Sequence, residues 1–147
     1  MAQERNQIRD VMTANPTTVT DTDSVLDVAR IMRDQDTGVV PVVSGKKIIG
    51  LVTDRDIVVR AIAGGKDIRN ARVNDVMTKQ VRTVNEDASV REVLEMMSGA
   101  QIRRVPVVNR NNELVGIVSM KDIAVETNQD SKLGKTVEDI SKGPSNN

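Results

Sequence analysis

The chain has 147 residues, 38% of them hydrophobic, with 21 Lys and Arg balanced by 21 Asp and Glu and no Phe, Tyr, Trp, His or Cys. The charge balance leaves no basic field for a polyanion, and without aromatic rings there is no platform for exposed bases, so no nucleic-acid partner is expected. Lack of thiol and imidazole removes thiolate nucleophiles, histidine bases, disulfides and ordinary zinc sites.

No pair of carboxylates stands apart from ordinary surface charge, so neither a catalytic residue nor a metal site is expected and the chain does not read as an enzyme. No run approaches the roughly 18 apolar residues of a spanning helix, and no leader is recognisable. The expectation is a soluble cytoplasmic protein with no membrane partner.

Residues 1–7 are polar and expected to be disordered. The next segment carries DVMT at Asp10–Thr13 and leads into a short strand over Thr17–Thr20. A helix follows, with Val25, Val28, Ala29 and Met32 spaced for one face and Ser24 with Asp27 as its capping box. VVPVV, Val39 to Val43, is too short for a helix and rich in strand formers. Ser44-Gly45-Lys46-Lys47 signals a turn and IIGLV a second strand, which makes a hairpin. Thr53-Asp54-Arg55-Asp56 then opens a helix to about Ala63, stopped by Gly64-Gly65.

All of this recurs. Ile8 to Val43 aligns without gaps on Val73 to Val108 at an offset of 65, and the region after the turn aligns at 66, with Gly50 on Gly116 and Asp56 on Asp122. The partner helix carries Val90, Val93, Leu94 and Met97 behind a Ser89/Glu92 capping box, and its short strand covers Arg82–Asn85. The order is β-α-β-β-α twice, an α+β arrangement of two copies that bury their cores together. The copies run over residues 8–65 and 73–125, with a linker at 66–72 and a polar tail at 126–147. In that tail Thr136–Ile140 reads as one or two helical turns and Gly143–Asn147 as disordered.

Two polar positions recur at the strand-to-helix junction, Thr53-x-x-Asp56 and Ser119-x-x-Asp122. As helix caps, the hydroxyls accept backbone N–H bonds and the acids suit the helix dipole. As a ligand site, the same geometry offers a hydroxyl and N–H groups to a phosphate, with Arg55 or Lys121 adding charge. The Asp then suits the paired hydroxyls of a ribose, and apolar strand ends such as Val39–Pro41 sandwich a base. Pro41 and Pro106 are junction prolines in the first reading and walls of a rigid pocket in the second. Val11, Met12, Val76 and Met77 read as core or interface packing, while Arg103-Arg104 are either a solvated pair or face an anion.

With DVMT heading each copy, VPVV in the middle and G-h-V-[ST]-x-[RK]-D-I at the end, the chain resembles a CBS-domain pair, or Bateman module, over about Ile8 to Val125. It is similar to stand-alone bacterial and archaeal members of the hypoxic and stress-response kind. The resemblance implies copies packed sheet to sheet about a pseudo-twofold axis, leaving two clefts. It also implies a homodimer, often a disc of four repeats, and an adenosyl ligand: AMP, ADP, ATP or S-adenosylmethionine. By match, Thr53 and Ser119 would meet phosphate, and Asp56 and Asp122 the ribose. Thr18, Val19, Val39, Val40 and Pro41 in one copy, with Thr83, Val84, Arg104, Val105 and Pro106 in the other, would line the base. Asp54 is replaced by Met120 in the second copy, which points to different preferences in the two clefts. The expected function is a regulatory energy or stress sensor that requires no cofactor, performs no catalysis and signals to an unidentified protein. The alternative is an interaction or dimerisation module with empty clefts.

Overall fold

In the computed structural model, residues 7–126 are described; the readings for residues 1–6 and for the tail beyond 126 lie outside them. Gln7 makes an antiparallel bridge with Ser89. The chain divides into two compact units. The repeat-1 unit holds Pro16–Val81 and Asn112–Leu114; the repeat-2 unit holds residues 7–15, 82–111 and 115–126. Each unit therefore combines the body of one sequence repeat with the DVMT segment that heads the other.

In the repeat-1 unit, helix α1 (Val25–Gln35) starts where the Ser24 hydroxyl accepts the Asp27 N–H at 3.0 Å. It ends at Asp36, whose φ of +52° turns the chain sharply out of the helix. Its buried face, Val25 and Val28, lies in a core with Val40, Val42 and Val52. Strands β2 (Val39–Ser44) and β3 (Lys47–Thr53) form the expected antiparallel hairpin. Gly45 takes φ +64° in the turn, a backbone angle that glycine adopts without a side-chain clash. The register slips after Val42, which faces Gly50 while Val43 faces Ile48, so Ile49 forms a bulge.

The short strand read over Thr17–Thr20 shrinks to one parallel bridge, Val19 with Val42. Val19 donates to the Pro41 carbonyl at 3.1 Å and accepts from the Val43 N–H at 2.9 Å. Pro41 has no N–H to extend that ladder, and the Thr20 N–H is taken by the Asp23 carboxylate at 2.9 Å.

The helix after the hairpin also departs from the expectation. One α turn, α2 (Asp54–Asp56), passes into a π-helical turn over Ile57–Ile62. There Ala63 donates to the Val58 carbonyl, five residues back, at 2.9 Å. Three β-branched residues in succession, Ile57 to Val59, disfavour regular α packing.

The second DVMT segment completes this unit. Helix α3 (Val73–Val76) is anchored by the Val73 N–H on the Asp23 carbonyl at 2.8 Å. Leu51 and Thr78 exchange backbone hydrogen bonds at 2.9 and 2.8 Å. Val73, Val76 and Met77 are buried in the same core as α1 and the hairpin. Gly50 permits this approach: a Cβ there would stand 2.7 Å from the Thr78 carbonyl oxygen.

The repeat-2 unit repeats the plan with the first DVMT segment. A 3-10 turn at Ile8–Asp10 precedes strand β1 (Thr13–Ala14). The sheet runs β1, β6 (Leu114–Ser119), β5 (Arg104–Val108), β4 (Val84–Asn85), with β1 antiparallel to β6 and β4 parallel to β5. β4 is the remnant of the strand read over Arg82–Asn85. Helix α4 (Val90–Ala100) is closed by a full capping box between Ser89 and Glu92. Val93, Leu94 and Met97 pack with Ile8, Val107 and Val118. Ile8 is fully buried, and its N–H bonds the Ala88 carbonyl at 2.8 Å. Arg9 forms an ion pair with Asp87. Helix α5 (Met120–Glu126) follows β6. Both cores are aliphatic side chains and methionine, as a chain without aromatics requires. No helix among the described residues is long and apolar enough to cross a membrane.

Candidate functional site

The repeated [ST]-x-x-D positions fall where the second hairpin strand becomes a helix. In the repeat-1 unit, Thr53 ends β3 with extended angles, φ −108° and ψ 162°. Its hydroxyl accepts the Asp56 N–H at 3.0 Å while its own N–H donates to Asp56 Oδ2 at 2.9 Å. The capping box foreseen as one of two readings is thus formed. Asp56 has further partners. The Thr78 hydroxyl lies 3.3 and 3.4 Å from its two oxygens, and Arg60 Nε stands 3.7 Å from Oδ1. The same arginine donates to the Met77 carbonyl at 3.1 Å. Asp56 is 8% exposed, the one buried charged residue among those described.

Around this box the hairpin gathers several of the expected lining residues. Val39 faces Thr53 across β2 and β3, and the Asp54 N–H bonds the Gly38 carbonyl at 3.0 Å. Val19 sits beside Pro41, held by the hydrogen bond on the Pro41 carbonyl. Val19, Val39, Val40 and Pro41 are all buried, while Thr18 and Arg55 are exposed. Asp54 turns its carboxylate to the Arg55 N–H at 2.8 Å, in space left by Gly38, where a Cβ would meet Asp54 Oδ2 at 3.1 Å.

The repeat-2 unit builds the same box. The Ser119 hydroxyl accepts the Asp122 N–H at 3.0 Å, and the Ser119 N–H donates to Asp122 Oδ2 at 2.9 Å. Met120 donates to the Arg103 carbonyl at 2.7 Å, the counterpart of the Asp54 bond to Gly38. Val84 pairs with Val107, which brings the Thr83–Val84 stretch to β5 beside Val105 and Pro106. Val105 and Pro106 are buried, Thr83, Val84 and Asp122 half-buried, and Arg104 and Lys121 exposed.

The resemblance of the boxes ends at their neighbours. Thr13 aligns with Thr78, yet it lies exposed on β1 opposite Ile117. Glu126 stands in sequence where Arg60 stands. Gly38 and Val39 become Arg103 and Arg104, and Asp54 becomes Met120. Sequence reading missed Arg60, Thr78 and Gly38 as neighbours of the first box. The i, i+4 spacing of Asp56 and Arg60 was a usable signal; Thr78 was not, since it arrives from the segment heading the other repeat.

A β-α-β-β-α unit made twice, each with a hydroxyl–carboxylate box at the hairpin end, defines a tandem-repeat module. The CBS domain is matched at residues 8–62 and 73–126, and the chain belongs to that family as a tandem CBS pair. It is 40% identical over 139 residues to the uncharacterized protein YlbB of Bacillus subtilis, covering 93% of each chain. To hypoxic response protein 1 of Mycobacterium tuberculosis it is 37% identical over 117 residues, covering 79% of this chain and 81% of the relative. The crystal structure of a hypoxic response protein I with two coordinated zinc ions superposes at TM-score 0.74, with 36% identity over 81% of this chain and 97% of that one. The CBS-domain pair of protein MJ0100, in complex with 5′-methylthioadenosine and S-adenosylmethionine, superposes at TM-score 0.72 with 30% identity, covering 82% and 98%. Zinc finds no ordinary donor set in this chain, which lacks His and Cys. Among the described residues no three Asp or Glu side chains cluster as a metal site.

Proposed function

We propose that this protein is a regulatory CBS pair that binds an adenosine-type ligand and performs no chemistry on it, acting in the cytoplasm as an energy or stress sensor. The observation that carries this reading is the duplicated box, with a hydroxyl and a carboxylate held together at the end of a hairpin whose opposing strand begins with buried Val39–Pro41 or with Arg104–Pro106. The carboxylate is an acceptor for ribose hydroxyls, the hydroxyl and nearby cations suit phosphate, and the buried strand start suits a base. The adenosyl compounds named with the MJ0100 pair favour this ligand class. A ligand of this kind acts by preferring one arrangement of the protein over another, since only differential binding shifts an equilibrium.

Calorimetric titration with AMP, ADP, ATP and S-adenosylmethionine tests the proposal. Saturable heat is expected from at least one of them, and its loss in an Asp56→Ala/Asp122→Ala double variant that remains folded. Silence from all four in folded protein would leave the alternative, an interaction module whose boxes serve only as caps. That second reading is favoured by the complete capping box of Thr53 and Asp56. In either case a homodimer is part of the proposal, supported by the apolar side chains Val58, Val59 and Ile62 exposed on one short turn.

A further inference from the structure

We infer that the ligand seats at the box of the repeat-2 unit, as a nucleoside phosphate, and that the box of the repeat-1 unit is filled by the protein's own side chains. This rests on the adenosyl reading above and decides between its two sites. A carboxylate that receives two ribose hydroxyls needs free lone pairs and access. Asp56 offers little of either. It is buried, with Thr53 on Oδ2, the Thr78 hydroxyl shared between both oxygens and Arg60 against Oδ1.

Asp122 is half-buried and receives only the Ser119 N–H, on Oδ2, which leaves Oδ1 without a partner among the described residues. Both clamps on Asp56 are missing from its counterpart. Thr13, in place of Thr78, stays exposed without a side-chain bond to Asp122, and the sequence position of Arg60 is taken by Glu126, which removes that cation.

Charge separates the two boxes in the same direction. At the repeat-1 box, Asp54 and Asp56 offset Arg55 and Arg60. At the repeat-2 box the acid Asp54 is replaced by Met120, and Val39 by Arg104 at the start of the strand beside Ser119. Arg104 and Lys121 both extend exposed side chains there. Two exposed cations, with Met120 in place of an acid, favour an anionic phosphate tail over a sulfonium such as S-adenosylmethionine.

The test is calorimetry of the full chain with ATP and with S-adenosylmethionine at low and high salt, with protein concentration set by refractive index. The expected result is one ATP per chain, bound at least tenfold more tightly than S-adenosylmethionine and weakened by salt. Asp122→Asn should lower ATP affinity tenfold or more. Arg104→Ala/Lys121→Ala changes two exposed side chains, leaves folding intact, and should lower affinity several-fold while flattening the salt dependence. Two ATP per chain, wild-type affinity in either variant, or equal binding of S-adenosylmethionine would overturn the assignment while leaving an adenosyl sensor standing. No binding of either compound would overturn the sensor reading and this assignment with it.

Discussion

Asp56 and Asp122 make the same two hydrogen bonds to their capping residues, yet they differ in what removal would expose. Replacing Asp122 by Ala deletes a half-buried cap, a loss of about 1 kcal/mol. Replacing Asp56 by Ala also strips the Thr78 hydroxyl of its acceptor and Arg60 of its ion pair, an expected loss of about 2–3 kcal/mol. Urea unfolding followed by circular dichroism should therefore rank Asp56→Ala well below Asp122→Ala. Equal midpoints would mean that Thr78 and Arg60 contribute nothing to holding the first carboxylate. The box itself was legible in the sequence because capping is local, three residues apart on one turn. The Thr78 contact that sets the first box apart was not, since Thr78 lies 22 residues from Asp56.

At the level of elements, the helix after each hairpin carries an apolar surface that its own unit leaves uncovered. Ile62 is 62% exposed beside Val58 and Val59, and Val125, aligned with Val59 in the second repeat, is 72% exposed. A cluster of exposed apolar groups of this kind suits a second copy related by a twofold axis, because the same patch on both copies can cover itself. Light scattering after size exclusion should give a dimer for the wild type and a monomer for Ile62→Glu. A variant that stays dimeric would place the contact elsewhere. Both main helices, their Ser caps and the hairpins follow from periodicity and turn chemistry, and the structure keeps them. The first short strand shrank because Pro41 has no N–H for the hydrogen bond that a longer ladder needs.

Across the whole molecule, the borders of the sequence repeats and the borders of the compact units differ by the exchanged DVMT segments. Val73, Val76 and Met77 belong to the core containing Val25 and Val52, and Ile8 to the core containing Leu94 and Met97. Units of this size bury only a modest fraction of their surface, so losing three core side chains is decisive. A fragment spanning residues 16–81 is expected to melt cooperatively, and one spanning residues 8–65 is expected not to. Cooperative melting of the 8–65 fragment would show that the second DVMT segment is dispensable for the first core.

The duplication, the α+β element order, the aliphatic core and the two polar boxes are all readable from the chain alone, because each is set by spacing within a few residues or by repetition along the chain. Which DVMT segment completes which core, and which carboxylate is clamped while the other retains an open oxygen, is settled by the folded chain. Those outcomes depend on residues distant in sequence: Thr78 reaches Asp56 from the segment heading the other repeat, Gly50 admits the Thr78 backbone, and Thr13 stays exposed on β1. Local pattern specifies the elements, whereas long-range packing determines which of two near-identical boxes keeps its acceptor available.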